Sequence, residues 1–190
     1  RDSYFINMDG EIDDILDNLD RRKGPKSGQK GKRGERNIVK TLNDRFGSIL
    51  GKNAGLFSRS VGSGNRYGQK VVLSQNAMDI YSGDIVVPDG FNFVLESKNG
   101  YNDIDLCTAF VKGHKELDTF LKQVSDDAKR CGRKPMLIWK KDRKSPLAFL
   151  KTKDLPNRSF DYSMKYKEWT AISFEELLKS ENHFFFTINK

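Results

Sequence analysis

The chain has 190 residues and a formal net charge of +8, enough for one compact domain with a real core and too few for two ordinary ones. No apolar run approaches the ~18 residues needed to span a bilayer and no lipidation signature is present, so the sequence predicts no membrane attachment. Cys107 and Cys131 stand far apart without a paired CxxC, which argues against a disulfide framework or zinc knuckle and for a reducing, intracellular, cytoplasmic setting. The chain opens on Arg1 and its first residues lack the apolar block of a secretory leader.

The charge is local. Residues 1–20 hold one arginine against seven acids, whereas residues 21–70 hold fourteen Lys/Arg against two acids. A local field of that sign attracts polyanions, nucleic acid being the commonest. In the acidic leader, residues 8–20 set Ile12, Ile15, Leu16 and Leu19 at helical spacing. This predicts a short amphipathic helix, laid on the domain surface or docking a protein partner. Residues 21–34, rich in Gly, Lys and Arg, cannot offset their ordering entropy by burial. They read as a flexible basic linker that orders on a polyanion, so the expected division is 1–34 as leader and linker and 35–190 as one domain, with a core over 35–150.

From Glu35 a helical stripe begins, with Ile38, Val39, Leu42 and Phe46, ending near Gly47. Glu35 then falls in a first turn, where the helix dipole favours a carboxylate. Residues 57–69 form a Gly/Ser-rich basic loop, followed by strand-like runs at 71–74, 84–87 and 91–98, the last two joined by Pro-Asp-Gly as a hairpin. A long helix over 114–130 repeats Leu117, Phe120, Leu121, Val124 and Ala128 on one face and stops at Gly132. Strands are expected at 136–139 and 147–150. A strand-helix-strand extension over 151–190 follows, with Ser173 and Glu176 in capping-box spacing and FFFTI as the closing strand. The order predicts an α/β domain with a mixed sheet flanked by helices.

The run GDIVVPDGFNFVLESK, residues 83–98, holds Asp84, Asp89, Glu96 and Lys98. Asp89 lies in the turn, roughly 20 Å from Glu96 at ~3.3 Å per residue, too far to share an ion. Side chains alternate along strands, so Asp84 and Glu96 share a face only if paired residue numbers add to an even sum, for example 87 opposite 93 or 87 opposite 91. A two-residue Asp-Gly turn would give an odd sum and separate them. Under an even sum their Cβ atoms lie roughly 5–8 Å apart, a spacing at which two carboxylates bracket a hard divalent cation. Lys98 projects from the same face.

GERNIVKTLN, FSRSVGSGN, SGDIVV and FNFVLESK in that order resemble the PD-(D/E)XK nuclease superfamily, and within it the archaeal-type Holliday-junction resolvases and related phage proteins, over about residues 31–140. The resemblance implies a restriction-endonuclease-like core and Mg²⁺-dependent hydrolysis of DNA phosphodiesters, with Mn²⁺ able to substitute. It also implies a homodimer and a phage-encoded or nucleoid-associated protein. Glu35 matches the family's helix glutamate, Asp84 its motif aspartate, Glu96 and Lys98 its ExK pair, and Gln123 a later helix glutamine. Asp84, Glu96 and the Ser97 carbonyl would then hold the metal, while Lys98 lowers a water pKa or neutralises the phosphate. The segment between Gly68 and Gly83, the leader and the tail beyond 150 depart from the family pattern.

Arg59, Ser60, Ser63, Asn65 and Arg66 are candidates to grip phosphates through side chains and glycine-exposed amides. Lys26, Lys30, Lys32, Arg33 and Arg36 add sequence-independent attraction. His114 and His183 have no second ligand at metal spacing and read as structural; Trp169 and Phe184 to Phe186 read as packing. Three functions fit these residues: a structure-selective nuclease for branched DNA, a sequence-specific restriction-type endonuclease, and a DNA-binding module with an inactive site.

Overall fold

The computed structural model describes residues 27–50, 56–60 and 83–187. The expected helix over 8–20, the strand over 71–74, Lys26, Ser63, Asn65 and Arg66 lie outside these residues.

The first helix, α1, spans Ser27–Phe46. It starts eight residues before Glu35, so the second half of the expected linker is helical. Glu35 therefore sits two turns inside the helix, and the N-terminal dipole does not account for it. What makes a Gly-rich segment helical here is contact: Gly34 is buried, and a Cβ on it would come within 2.8 Å of the Asn99 side chain. Glycine lets the helix lie close against its neighbouring strand. The helix ends where expected, with Gly47 donating to the Asn43 carbonyl.

Among the described residues one mixed sheet of seven strands runs β1 (Ser58–Arg59), β2 (Ile85–Val86), β3 (Phe93–Asn99), β4 (Lys134–Lys140), β5 (Leu147–Lys151), β7 (Trp169–Ser173), β6 (Ser163–Tyr166) in spatial order. β3 and β4 are parallel; the other neighbours are antiparallel. A parallel pair needs a crossover, supplied by α2 (Leu106–Lys112) and α3 (Lys115–Cys131). The helix α2 escapes sequence reading because it buries only Ala109 and leaves Phe110 and Val111 exposed, so it carries no clean apolar stripe.

Helices cover both faces. On one, Ile38, Leu42 and Phe46 of α1 pack with Phe93, Leu95, Met136 and Ile138. On the other, Leu117, Phe120, Leu121, Val124 and Ala128 of α3 pack with Val94, Leu137, Trp139 and Phe149. The alternation along β3 sends Phe93 and Leu95 to one layer and Val94 to the other, which leaves Glu96 and Lys98 on the α3 side.

The tail is where sequence and structure part. β6 and β7 extend the same sheet, followed by two single-turn helices, α4 (Phe174–Leu177) and α5 (Asn182–Phe185). The expected strand-helix-strand is thus strand-strand-helix-helix. β6 is hidden in the sequence because its hairpin turns on Lys167-Glu168, without the glycine or asparagine that usually signals one. Ser173 does cap α4, accepting from the Glu176 amide, but the Glu176 carboxylate pairs with Arg158 and Lys179 instead of closing the box. Over residues 184–187 the expected closing strand does not form: Phe184 and Phe185 are helical, His183 with them, and Phe186 alone bridges to Phe91. The aromatic tail is core, with Trp169 3% and Phe185 1% exposed.

Candidate active site

Ile85 pairs with Leu95, a sum of 180, which equals 87 opposite 93. Asp84 and Glu96 therefore face the same layer. A four-residue turn does form at Pro-Asp-Gly, with Phe91 donating to the Pro88 carbonyl and Gly90 at φ 76°. It does not set the register, because Phe91 leaves the hairpin to pair with Phe186 and Asn92 donates to the Phe185 carbonyl. The Phe91 ring is drawn into a cluster with Phe46, Phe57 and Phe186, centroids 5.0–6.4 Å apart, and those lost pairings lengthen the loop to an odd number.

Asp84 is held by its backbone neighbours. Its amide donates to the Leu95 carbonyl at 3.0 Å, its carbonyl accepts from Ser60 at 2.9 Å, and Oδ2 accepts from the Ser97 amide at 3.0 Å. Gly83 precedes it at φ 81°, and a Cβ there would stand 2.5 Å from the Leu95 carbonyl oxygen; only glycine fits. In an extended strand one residue's amide and carbonyl face the same edge, so the Ser97 carbonyl lies on the Asp84 side.

Glu96 is 1% exposed. Its Oε1 accepts from Lys98 Nζ at 2.6 Å and from Gln123 Nε2 of α3 at 2.7 Å. Lys98 Nζ also lies 5.2 Å from the centre of the Phe120 ring, a cation–π seat. Burial first, then the neighbouring Asp84 carboxylate, push the Glu96 pKa up from 4.5 to about 7. Burial alone would lower the Lys98 pKa, but Glu96 beside it outweighs that and raises it, so Lys98 stays a cation.

A cleft of about 550 Å³ gathers Glu35, Asp84, Glu96, Ser97, Lys98 and Gln123, so all five expected catalytic residues and the third expected metal donor come together. Glu35 is buried and bound through Oε2 to Arg59 Nε at 2.7 Å. Of the residues expected to grip phosphate, Arg59 gives its Nε–H to Glu35, and Ser60, 5% exposed, gives its amide to the Asp84 main-chain carbonyl. Lys32, Arg33 and Arg36 are exposed on α1, with Lys32 and Arg36 about 100° round the helix from Gly31 and Glu35 of the cleft wall. The loop after β3 completes the wall with Tyr101 and Asn102, and the loop after β4 with Asp142. Asn102 and Asp142 bond each other twice. Tyr101 adopts φ 52° and packs edge-on to Phe120. No pattern in the sequence marks these, since a strained backbone on a non-glycine residue is set by packing.

The residues fit a hard cation. Among the described residues no three His, Cys, Asp or Glu side chains converge; the candidate donors are two apposed carboxylates and a main-chain carbonyl, all oxygen. Burial, and after it the Asp84 charge, lift Glu96 toward neutrality, and a divalent cation held between the two carboxylates would relieve both penalties.

A model of the family described as "Phage putative PDDEXK endonuclease" matches residues 26–189. The chain belongs to that family. The match runs through the cleft residues and on through β6, β7 and the helices α4 and α5, so the tail is part of the family's domain. No curated protein and no solved structure matches the chain.

Proposed function

We propose that this nuclease is a divalent-metal-dependent DNA endonuclease, with Mg²⁺ as the ion and Mn²⁺ as its substitute. The observation that carries the reading is Asp84 and Glu96 projecting from adjacent strands into one cleft, with Lys98 on Glu96. Asp84, Glu96 and the Ser97 carbonyl would hold the cation. A bound divalent cation supplies charge relief at phosphorus. Lys98, cationic and 17% exposed on its side chain, would neutralise a phosphate oxygen or lower the pKa of the attacking water. Gln123 fixes the Glu96 carboxylate from α3, and Glu35, braced by Arg59, closes the far wall of the cleft. The basic flank of α1 attracts the backbone without reading sequence.

Selectivity for branched DNA and a homodimer rest on the likeness to archaeal-type resolvases; a restriction-type enzyme shares the site but would read bases. The test is cleavage of a four-way junction, a linear duplex and single-stranded DNA with Mg²⁺ and with a chelator. Metal-dependent cutting concentrated at the junction is expected. Cutting at one duplex sequence favours the restriction-type reading, and no cutting of any substrate with Mg²⁺ or Mn²⁺ overturns the enzyme.

A further inference from the structure

A groove of about 1350 Å³, larger than the cleft just described, lies elsewhere on the described structure. It lies along the other flank of α3. At 3.6 residues per turn, Ser125 of this groove stands about 200° round the helix from Gln123 of the cleft. Its wall comprises α3, the starts of β4 and β7, the 3₁₀ turn Thr152–Asp154 and the edge strand β6.

Eight lysines and arginines line it against four carboxylates. Each carboxylate is matched by one lysine: Asp126 by Lys122, Asp154 by Lys134, Glu168 by Lys151 and Asp118 by Lys167. Lys129, Lys153 and Lys165 are surplus to that matching, all exposed, and come from three different elements: α3, the 3₁₀ turn and β6. A solvated helix face puts its charges on one helix; this concentration is made by tertiary folding. The surplus is felt inside the groove, where the Glu168 pKa is held down first by Lys151 and further by Lys153 and Lys129.

We propose that this groove is a second binding surface for the phosphodiester backbone of DNA, separate from the catalytic cleft; the choice of DNA rests on the nuclease reading above. Size favours an extended occupant over a small anion, since small-molecule pockets run ~300–1,000 Å³ and this groove holds about 1350 Å³. Chemistry disfavours an acidic protein. Protein interfaces place aromatic and apolar anchors at their centre and are poor in lysine, whereas none of the exposed large hydrophobic residues, such as Phe110, Val111 and Tyr162, lines this groove. Position favours DNA. The two sites flank α3, whose width is ~10 Å, about three steps along a strand at ~3.4 Å each, a span that one bound nucleic acid can bridge.

The experiment compares the parent with K129A/K153A/K165A in binding a long duplex and a short one, without divalent metal, across a salt series. Expected are weaker binding to the long duplex, loss of most of the parent's preference for it, and a log–log salt slope smaller by up to about 3, from ~0.9 per phosphate contact. Unchanged affinity and slope overturn the proposal. So does unchanged DNA binding with loss of poly-glutamate binding, which assigns the groove to an acidic polypeptide. A thermal melt checks the fold, and K153A and K165A singly, at exposed positions, serve if the triple variant melts early. Binding is read without turnover, so a parent that cuts nothing while the variant still loses slope would sink the nuclease reading and leave the groove standing.

Discussion

Glu96 is pulled in two directions. Its strand buries it to 1% exposure beside Asp84, which favours the neutral acid, while Lys98 and Gln123 both donate to Oε1, which favours the anion. The pKa of about 7 is the outcome. A carboxyl whose folded pKa lies above its unfolded one binds more protons when folded. Its stabilising contribution is therefore complete at acid pH, is lost as pH rises from 4.5 to about 7, and is flat above. Asp105, Asp126, Glu168 and Glu176 are shifted down instead and act below their ordinary values, outside that window. Melting temperatures of metal-free protein should thus fall between about pH 5 and 7, and Glu96→Gln should flatten the profile; a parent profile rising through that range contradicts the assignment. Lys98→Ala removes the cation and should lower cleavage by roughly 10²–10³ or more. DNA binding should change little, because the basic flank of α1 is untouched; gel cleavage and anisotropy on one preparation measure both.

At the scale of elements, the hairpin carries the site. Sequence restricts Asp84 and Glu96 to an even pairing sum if they are to meet, but it does not choose between that and the Asp-Gly turn. The choice is made by Phe91, whose ring joins the aromatic cluster and whose backbone bridges Phe186, ninety-five residues later. Gly83 is the local counterpart, legible as a glycine before the aspartate and explained only by the Leu95 carbonyl 2.5 Å from its absent Cβ. Gly83→Ala should destabilise the fold by about 1–3 kcal/mol and also reduce cleavage, since Asp84 must shift; denaturant melts and a cleavage assay on one preparation check the two losses together. A basic Ser/Gly loop reads as a phosphate grip, and the fold adds a second task for it: Arg59 pairs with the buried Glu35 carboxylate and the Ser60 amide holds the Asp84 main chain, because a buried carboxylate is costly without a partner.

For the whole molecule, residues beyond 151 are structural. Tyr166, Trp169 and Ala171 fill the α3 layer, and Ile172, Phe174, Leu177, Phe184 and Phe185 fill the α1 layer, while β7 supplies the antiparallel partner of β5. A chain ending at Lys151 would expose apolar surface on both faces and leave an unpaired central strand. It should lose its cooperative thermal transition by circular dichroism; a sharp melt near that of the full chain would show the tail to be an appendage. The sequence by itself determined the α/β class, the helices α1 and α3, the strands β3 to β5 and the charged run that lines part of the cleft, because 3.6- and 2-residue periodicities and a run of charged residues in an apolar strand are local properties. Only the tertiary structure decided the pairing register, the start of α1 within a Gly-rich segment, the hidden α2 and β6, the helical close of the chain and the basic groove. Each of those depends on contacts between residues distant along the chain, whose free energy outweighs local preference.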